Sequence, residues 1–483
     1  MKNFKKFLFV LLLLPIAFMF TACDLKSPAY VVSIEKTNSV NTTDTYTVTY
    51  SDGTKTYFTV ENGKDGESLR LSDIEAYCER EGISLNEFLK NYIDITYTAD
   101  QIKTATNIAM QSAVSIVVEH TITPTFSSTN PAVFVGSGVI YKMESTYSYI
   151  VTNYHVVHHS NSLDENQIAG KINIFQYGED DTIYQESSQG SNRTYSYSDG
   201  AVLCSYVGGS DKYDIAVIKA PTAKLLENNP NACAVTVSNN YSLAETVIAV
   251  GNAKGYGLSA TEGIVSVYSE EIPITDDSGY YYTNYRVMRI DAAVNGGNSG
   301  GGVFNAYGEL IGIVNAKSYS DDIDNMAYAI PYENATNVAD NIIYYHKISN
   351  TAVNPKQIYF GLYSYEENHR SVYNKDTNKI SLYNDCVIAY DPEDGTLAHT
   401  LQFKKGDIIK SITIKRGTQT YTTTLNQSFQ LEDFTLTVRA GDTLSVEVVR
   451  AGTTITLGSL ESFVITNNRL VECDSTDYKK AST

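Results

Sequence analysis

From Asp291 to Ala316 the chain reads DAAVNGGNSGGGVFNAYGELIGIVNA, a glycine-dense loop around Ser299 followed by two short apolar segments. Glycine adopts backbone conformations closed to other residues, so such a loop can turn its amides toward one point. Short apolar segments bounded by turn residues are typical of β-strands. The stretch therefore predicts a β-structure that presents a serine from a tight loop.

The same pattern extends over residues 106–345. Short β-branched runs are punctuated by Gly and Asn, and only Tyr332 to Tyr345 has the pattern of a helix. The clearest runs are Ala113–Val118, Gly138–Tyr141, Ser148–Thr152, Asp214–Lys219, Val247–Val250 and Leu310–Asn315. Many short strands with regular turns predict an all-β barrel or a pair of sandwiches.

Composition limits the class of protein. The 483 residues suggest about three domains. Acidic residues number 55 and basic residues 36, and the resulting net charge of −19 argues against nucleic acid as a partner. The 38 tyrosines favour β-structure. Six cysteines are too few for a disulfide scaffold, although Cys204 and Cys233 share a domain and could pair.

The N-terminus predicts an extracytoplasmic protein. A short basic segment precedes an apolar run of 14 residues, Phe7 to Phe20, which is too short to span a bilayer and is typical of a secretory signal. The following FTAC, ending at Cys23, resembles a bacterial lipobox, so residues 1–22 are predicted to be removed and Cys23 acylated. Two or three acyl chains would anchor the protein stably to the bacterial cell membrane. An ordinary cleaved signal with a chance cysteine is the alternative.

The remaining regions are assigned by pattern. The predicted organisation is a β-hairpin module or stalk at 23–66, a helical segment of unknown role at 67–105, the β-domain at 106–345, a second β-module at 356–462 and a polar tail at 463–483, which is expected to be loose after Asn468. The hairpin prediction rests on alternation in Thr45–Tyr50 and Lys55–Val60 around an Asp-Gly turn. Strands are predicted in the second module at Asp407–Ile414, Phe434–Val438 and Leu444–Val449.

Three segments of the β-domain carry residues suited to attack on an acyl carbon. His155 ends the apolar strand YIVTNYH, Asp214 opens the strand DIAVIK, and Ser299 lies in the glycine loop. An imidazole can take the proton of an attacking hydroxyl while a buried carboxylate holds the ring in the right tautomer. The glycines let the amides of Gly297 and Ser299 converge on one oxyanion.

Each segment also has an ordinary interpretation: a surface histidine, a turn aspartate and a tight glycine turn. A metal site is a further alternative, because His155, His158 and His159 lie within five residues. No HExxH or paired-cysteine spacing supports it, so no metal is predicted. No nucleotide or dinucleotide fingerprint is present, and acyl transfer by serine needs no cofactor.

Taken together, residues 106–345 resemble the trypsin-like serine protease domain of the HtrA/Deg family. The resemblance rests on GSGVI (136–140), IVTNYHVV (150–157), DIAVIK (214–219), VIAVGNAKGYGLSATEGIVS (247–266), the stretch 291–316 and AYAIP (327–331). It implies a double six-stranded β-barrel with His155 as general base, Asp214 orienting it and Ser299 as nucleophile. The implied oxyanion hole lies at Gly297, Asn298 and Ser299, and the implied assembly is a homotrimer.

The sequence departs from the family in two ways. Gly296 and Gly302 stand where the family usually has proline, which predicts a less ordered loop that becomes competent only with substrate or an activator bound. In addition, 59 residues separate His155 from Asp214, and the polar stretch 176–200 is predicted to be a surface insertion.

Substrate preference follows from the residues before Ser299. Ala293, Val294 and Asn295 should line the specificity pocket, and the absence of an acidic residue disfavours Lys or Arg in the substrate. Small to medium apolar side chains are expected instead. Lys317 on the opposite wall either points to solvent or favours an acidic side chain.

The second module, residues 356–462, is similar to a PDZ domain of the HtrA type. Tyr359, Phe360, Gly361 and Leu362 match the loop that captures a C-terminal carboxylate, and 405–411 matches the strand after the Gly-Asp turn. Such a domain binds a peptide as an added edge strand. The divergent stretch 364–382 interrupts the match, so a β-module that only packs on the protease is the alternative.

These features predict a membrane-anchored serine endopeptidase that degrades unfolded or misfolded extracytoplasmic proteins. Two other functions remain open at this point. One is a peptide-binding chaperone or stress sensor with little hydrolysis, and the other is a surface adhesin or scaffold that works through its N-terminal module.

Overall fold

The structure is a computed structural model that describes residues 31–40, 43–50, 55–61, 80, 99–122, 131–189, 192–275, 281–315, 326–375 and 379–473. The chain divides into two units, residues 1–98 and residues 99–483. The predicted signal peptide, Cys23 and most of the predicted helical segment 67–105 lie outside the described residues.

The first unit contains a three-stranded antiparallel sheet. Its strands are β1 (Val31–Val40), β2 (Thr43–Tyr50) and β3 (Lys55–Glu61), in that order. The pairing of β2 with β3, which sets Tyr46 opposite Phe58, confirms the predicted hairpin. The Asp52-Gly53 turn lies outside the described residues, and β1 is an additional strand that the sequence pattern did not predict.

The second unit opens with helix α1 (Ala99–Ser112), which crosses the boundary predicted at residue 105. A closed six-stranded barrel follows, in the order β10-β11-β6-β5-β4-β7. Its strands are β4 (Ala113–His120), β5 (Ala132–Met143), β6 (Tyr147–Thr152), β7 (Lys171–Gln176), β10 (Val202–Ser210) and β11 (Ile215–Pro221). The predicted insertion contains a separate hairpin, β8 (Tyr184–Gln189) with β9 (Asn192–Ser196). Two short helices, α2 (Tyr154–Val157) and α3 (Thr222–Asn228), follow β6 and β11.

A second closed barrel has the order β12-β13-β14-β17-β16-β15. Its strands are β12 (Thr246–Gly251), β13 (Ser259–Thr275), β14 (Tyr281–Ile290), β15 (Gly302–Asn305), β16 (Leu310–Asn315) and β17 (Ala327–Pro331). Helix α4 (Tyr332–Ser349) follows and ends at Asn350, which adopts a left-handed conformation. The two barrels confirm the predicted double-barrel fold.

The continuous apolar runs of the sequence have a direct structural cause. On β11, Ala216 and Ile218 face the interior of the first barrel, whereas Ile215 and Val217 face a second cluster. That cluster also takes side chains from α1, α4 and the second barrel, including Phe304. Strands between two cores are apolar on both faces, so they lose the alternation of a half-buried strand.

The chain then forms a third β-structure, here called the C-terminal module. Its elements are β18 (Lys356–Ile358), β19 (Ser364–Asn374), β20 (Lys379–Ile388), α5 (Leu397–Thr400), β21 (Ile408–Arg416), β22 (Gln419–Thr424), α6 (Gln430–Thr435), β23 (Thr443–Arg450), β24 (Thr453–Val464) and β25 (Leu470–Glu472). The main sheet has the order β19-β20-β21-β23-β24, and β22 pairs with β21. The module has its own buried core.

The strand predicted at Phe434–Val438 is wrong, because α6 and the turn after it occupy this segment. The alternation that suggested a strand is nevertheless real. Phe434 and Val438 are buried in the core of the C-terminal module, whereas Leu436 is buried in the cluster shared by the two barrels. A segment that lies between two cores can therefore have apolar residues at every second position, as a strand does, without forming a strand.

The prediction of a loose tail after Asn468 is also wrong up to Cys473. Strand β25 pairs with β18, and Cys473 is buried and donates its amide to the Pro355 carbonyl at 2.8 Å. Because its side chains are polar, the sequence of this segment did not indicate the short strand β25, which leads the chain back to the barrels.

The pairing of Cys204 with Cys233, which the sequence left open, is not formed, since both are free thiols. Cys204 is buried and Cys233 is exposed. Within the described ranges, no helix is both long enough and apolar enough to cross a membrane.

Candidate active site

His155 lies on α2, the single helical turn that follows β6. Val156 and Val157 on the same turn are buried and anchor it, while the His155 side chain stays 31% exposed. Asn153, just before the turn, is fully buried and donates its Nδ2 to the Asp214 carbonyl at 2.9 Å. The local sequence therefore holds the backbone of the turn rigidly and leaves the imidazole accessible.

Asp214 is buried directly before β11, and its carboxylate faces His155. The Asp214 Oδ2 lies 2.8 Å from His155 Nδ1, and the His155 backbone N–H donates to Oδ1 at 3.0 Å. An ionised carboxylate only accepts hydrogen bonds, so it selects the tautomer with the proton on Nδ1. The other ring nitrogen, Nε2, is then the one able to accept a proton.

A third donor to this carboxylate is Asn315, a residue that the sequence reasoning missed. Asn315 ends β16, is buried, and donates its Nδ2 to Asp214 Oδ2 at 2.8 Å. The only signal in the sequence was a polar residue closing the apolar run LIGIVN. It completes the set of donors that a buried carboxylate requires.

Ser299 is buried in the glycine loop, beside the strands that lead to His155. Its carbonyl accepts from the Ser137 amide at 2.8 Å, and the next residue, Gly300, donates to the Val314 carbonyl at 3.0 Å. Gly300 has φ +85°, and a Cβ there would lie 2.2 Å from both the Ser137 carbonyl and Thr152 Oγ1. Only glycine fits such a close approach. No hydrogen bond joins the Ser299 hydroxyl to His155 among the described residues; such bonds are often long in unliganded enzymes.

The loop carbonyls around Ser299 are held in fixed directions. The Gly296 carbonyl accepts from the Lys254 amide at 2.7 Å, and the Gly297 carbonyl accepts from Ser137 Oγ at 2.7 Å. Gly297 has φ +96°, and a Cβ there would lie 2.2 Å from the Asn252 carbonyl. Within the described part of the chain, the amides of Gly297 and Ser299 donate to no protein group.

Asn298, the third residue of the predicted oxyanion hole, differs from its neighbours. Its amide donates to the Asn295 carbonyl at 3.0 Å, so this N–H is already used within the loop. The geometry therefore leaves Gly297 and Ser299 as the two amides of the loop that can receive an oxyanion.

The two unusual glycines have different environments. A Cβ at Gly302 would lie 2.4 Å from the ring of Phe304, which is fully buried, so the residue must be small. A Cβ at Gly296 would meet nothing within 4 Å. The prediction of a less ordered loop therefore rests on Gly296 alone.

The residues predicted to line the specificity pocket precede this loop. Ala293 and Asn295 are exposed, and Val294 packs against the core of the second barrel. The Ala293 carbonyl accepts from Thr261 Oγ1 at 2.8 Å. Lys317 lies outside the described residues.

The predicted carboxylate loop of the C-terminal module also has defined contacts. Phe360 is buried in the core of the module, and its carbonyl accepts from the Ala398 amide at 2.8 Å. Gly361 has φ +68°, and a Cβ there would lie 2.6 Å from Thr396 Cγ2. The Tyr359 amide donates to the Arg469 carbonyl, whereas those of Gly361 and Leu362 donate to no described protein group.

The three histidines considered as metal ligands have separate partners. His158 stacks on Tyr154, and His159 stacks on Phe134, while His155 contacts Asp214. Among the described residues, no group of three or more His, Cys, Asp or Glu side chains is arranged to hold a metal ion.

Comparison with known proteins places this site in a recognised domain. Residues 136–313, which include His155, Asp214 and Ser299, match the family described as a trypsin-like peptidase domain. The Serine protease HtrA-like of Staphylococcus aureus (strain NCTC 8325 / PS 47) is 31% identical over 284 residues, which are 58% of this chain and 32% of that protein. The Serine protease Do-like HtrA of Lactococcus lactis subsp. lactis (strain IL1403) is 27% identical over 327 residues, 66% of this chain and 68% of that protein.

This chain thus spans about a third of the length of the staphylococcal relatives that it matches. Among solved structures, the HtrA-type protease AlgW with decapeptide has 21% sequence identity and a TM-score of 0.42, covering 74% of this chain and 96% of that one.

The contrast between the two glycines predicts opposite effects on stability. Gly296→Ala should raise the free energy of unfolding by about 0.4–1 kcal/mol, because it restricts the unfolded chain without a clash. Gly302→Ala should lower it by about 1–3 kcal/mol, because the methyl group overlaps Phe304. Urea unfolding of both variants measures the difference.

The double variant Gly302→Ala/Phe304→Leu is the control, since the smaller side chain makes room and should recover part of the loss. Equal effects of the two single substitutions would contradict the steric explanation of Gly302.

Proposed function

We propose that this chain, which carries a trypsin-like serine peptidase domain similar to HtrA-type proteases, is an endopeptidase that cleaves unfolded or misfolded proteins through an acyl-enzyme. The observation that carries the proposal is the contact between the Asp214 carboxylate and His155 Nδ1 beside the Ser299 loop. A partly accessible imidazole fixed by a buried carboxylate next to a serine suits acyl transfer.

In this mechanism His155 Nε2 takes the proton of the Ser299 hydroxyl as the oxygen attacks the scissile carbonyl. Asp214 stabilises the imidazolium that forms and keeps the ring oriented. His155 then gives the proton to the leaving amine, and a water molecule repeats the sequence to release the acyl group.

The negative charge on the tetrahedral intermediate is received by the amides of Gly297 and Ser299. Removing one such donor typically costs about 3–4 kcal/mol of transition-state stabilisation. The bonds from the Lys254 amide and from Ser137 Oγ to the neighbouring carbonyls support this role, because they fix the directions of the peptide groups on either side of the Gly297 amide. Small to medium apolar substrate side chains remain the preferred class for the pocket at 293–295.

The peptidase proposal predicts that a fluorophosphonate probe labels Ser299 and that the purified chain digests casein. Ser299→Ala should abolish both, because no other group replaces the nucleophile. Labelling followed by peptide mass mapping, together with a casein assay, measures the two effects. Ser381→Ala, an exposed serine on β20, is the matched control and should behave as wild type. Suppression of aggregation without any cleavage by wild type would instead support a chaperone.

For the C-terminal module we infer that it binds peptides through their C-terminal carboxylate. The amides of Gly361 and Leu362, which donate to no described protein group, support this inference. Strand β19 is one edge of the main sheet and offers a backbone to which an extended peptide can add.

A fluorescent peptide with a free carboxyl terminus should therefore bind the full chain, and its C-terminal amide should bind at least about 10-fold more weakly, because a charged hydrogen bond is lost. Fluorescence anisotropy measures both. Gly361→Ala should weaken binding because its Cβ meets Thr396. Gly417→Ala is the matched control, since it shares the positive φ but has open space around it. Equal affinity for acid and amide would rule out the carboxylate loop.

We also propose that Cys23 is acylated, that the protein is anchored to the bacterial cell membrane on its extracytoplasmic side, and that it assembles as a homotrimer. Wild type expressed in a bacterium should then partition into the detergent phase of a Triton X-114 extract. Cys23→Ser should move to the aqueous phase because the acyl chains are absent. Partition of both forms into the aqueous phase would contradict the lipid anchor.

A further inference from the structure

The segment that leads into Asp214 is buried against the C-terminal module. Lys212 and Tyr213, the two residues before Asp214, are 5% and 2% exposed. A lysine this buried needs a partner for its charge. Its partner is the carboxylate of Glu432, which lies on α6 of the C-terminal module.

Glu432 contacts both of these residues. The Lys212 ammonium forms an ion pair with Glu432 Oε1, and Tyr213 Oη donates to the same oxygen at 3.1 Å. The Lys212 ammonium also donates to Tyr213 Oη at 3.0 Å. Tyr213 Oη further lies 3.0 Å from Gln357 Oε1, on β18. One carboxylate on the C-terminal module therefore fixes two consecutive side chains of the first barrel.

Apolar contacts hold the same two surfaces together. Tyr213 belongs to the cluster shared by the barrels, and Leu436 and Cys473 of the C-terminal module are buried in that cluster. Asn341 on α4 donates its Nδ2 to the Leu436 carbonyl at 2.7 Å, and Ser210 Oγ donates to the Cys473 carbonyl at 3.2 Å. The docking of the module therefore does not depend on Glu432 alone.

The backbone at Asp214 needs such support. Asp214 has φ +50°, in the left-handed region that non-glycine residues rarely adopt. Strain of this kind persists only where the surroundings over-determine the conformation. Asn315 donates a hydrogen bond to the Asp214 carboxylate, and Asn153 donates one to the Asp214 carbonyl. Lys212 and Tyr213 hold the chain directly before it.

We propose that Glu432 is a positioning residue for the catalytic pair. By fixing Lys212 and Tyr213, it holds Asp214 in the conformation that orients His155. This inference rests on the proposed peptidase function, and it makes the C-terminal module part of the support of the active site.

Glu432→Gln should lower kcat by about 10- to 100-fold per competent site, the range expected when a reacting group is displaced by up to about 1 Å. KM should stay unchanged, because Glu432 belongs to the C-terminal module and contacts the segment before Asp214 rather than the residues of the predicted specificity pocket. The amide keeps the size of the side chain, and Leu436 keeps the module docked.

The experiment uses the full chain, with active-site titration by a fluorophosphonate before each kinetic assay. A purely structural role would reduce the titrated fraction and leave kcat per titrated site at the wild-type value. A positioning role reduces kcat per titrated site. Glu461→Gln, an exposed glutamate on β24, is the matched control and should leave kcat unchanged.

Tyr213→Phe gives an independent test should Glu432→Gln fail to fold, since it removes only the hydroxyl. It should also lower kcat per titrated site. The double variant with Glu432→Gln should lose less transition-state stabilisation than the sum of the losses in the two single variants. Wild-type kcat per site in both variants would overturn the inference. Absence of labelling in wild type would instead contradict the peptidase function itself.

Discussion

The carboxylate of Asp214 is the contact on which the site depends. It is buried and receives hydrogen bonds from the His155 backbone, from His155 Nδ1 and from Asn315 Nδ2. A buried charge without donors would be strongly destabilising, so these bonds are required for the fold as well as for the chemistry. His155 belongs to the first barrel and Asn315 to the second, so the carboxylate joins the two barrels at the point where Ser299 lies.

The rest of the second unit keeps this contact in place. The strands next to the site are apolar on both faces because they separate the interior of one barrel from a cluster shared by both barrels. The C-terminal module adds Leu436 and Cys473 to that cluster, and Arg286 on β14 lies 3.2 Å from both Glu333 and Asp433. Burial opposes the charge of Arg286, but these two carboxylates raise its pKa above the usual value. Apolar and ionic contacts therefore join the module to the barrels.

Much of this arrangement follows from local patterns in the sequence. His155 and Asp214 could be predicted because each lies at the end of an apolar strand pattern. Ser299 could be predicted because it lies among many glycines. Both signals come from neighbouring residues in the sequence. Asn315 was missed because its neighbours in the sequence do not indicate that its side chain donates to Asp214. Glycine is needed at position 302 because of the way Phe304 packs. The segment 434–438 has the alternating pattern of a strand because it lies between two cores. Such features depend on tertiary contacts that no short pattern contains.

A crystal structure of the chain after reaction with a peptidyl phosphonate tests the proposed arrangement of nucleophile, general base and oxyanion hole. We expect phosphorus bonded to Ser299 Oγ, with the phosphonyl oxygen within about 3 Å of the Gly297 and Ser299 amide nitrogens. His155 should remain bonded to Asp214 through Nδ1. Phosphorus on another residue, or an adduct in which His155 has left the Asp214 carboxylate, would contradict it.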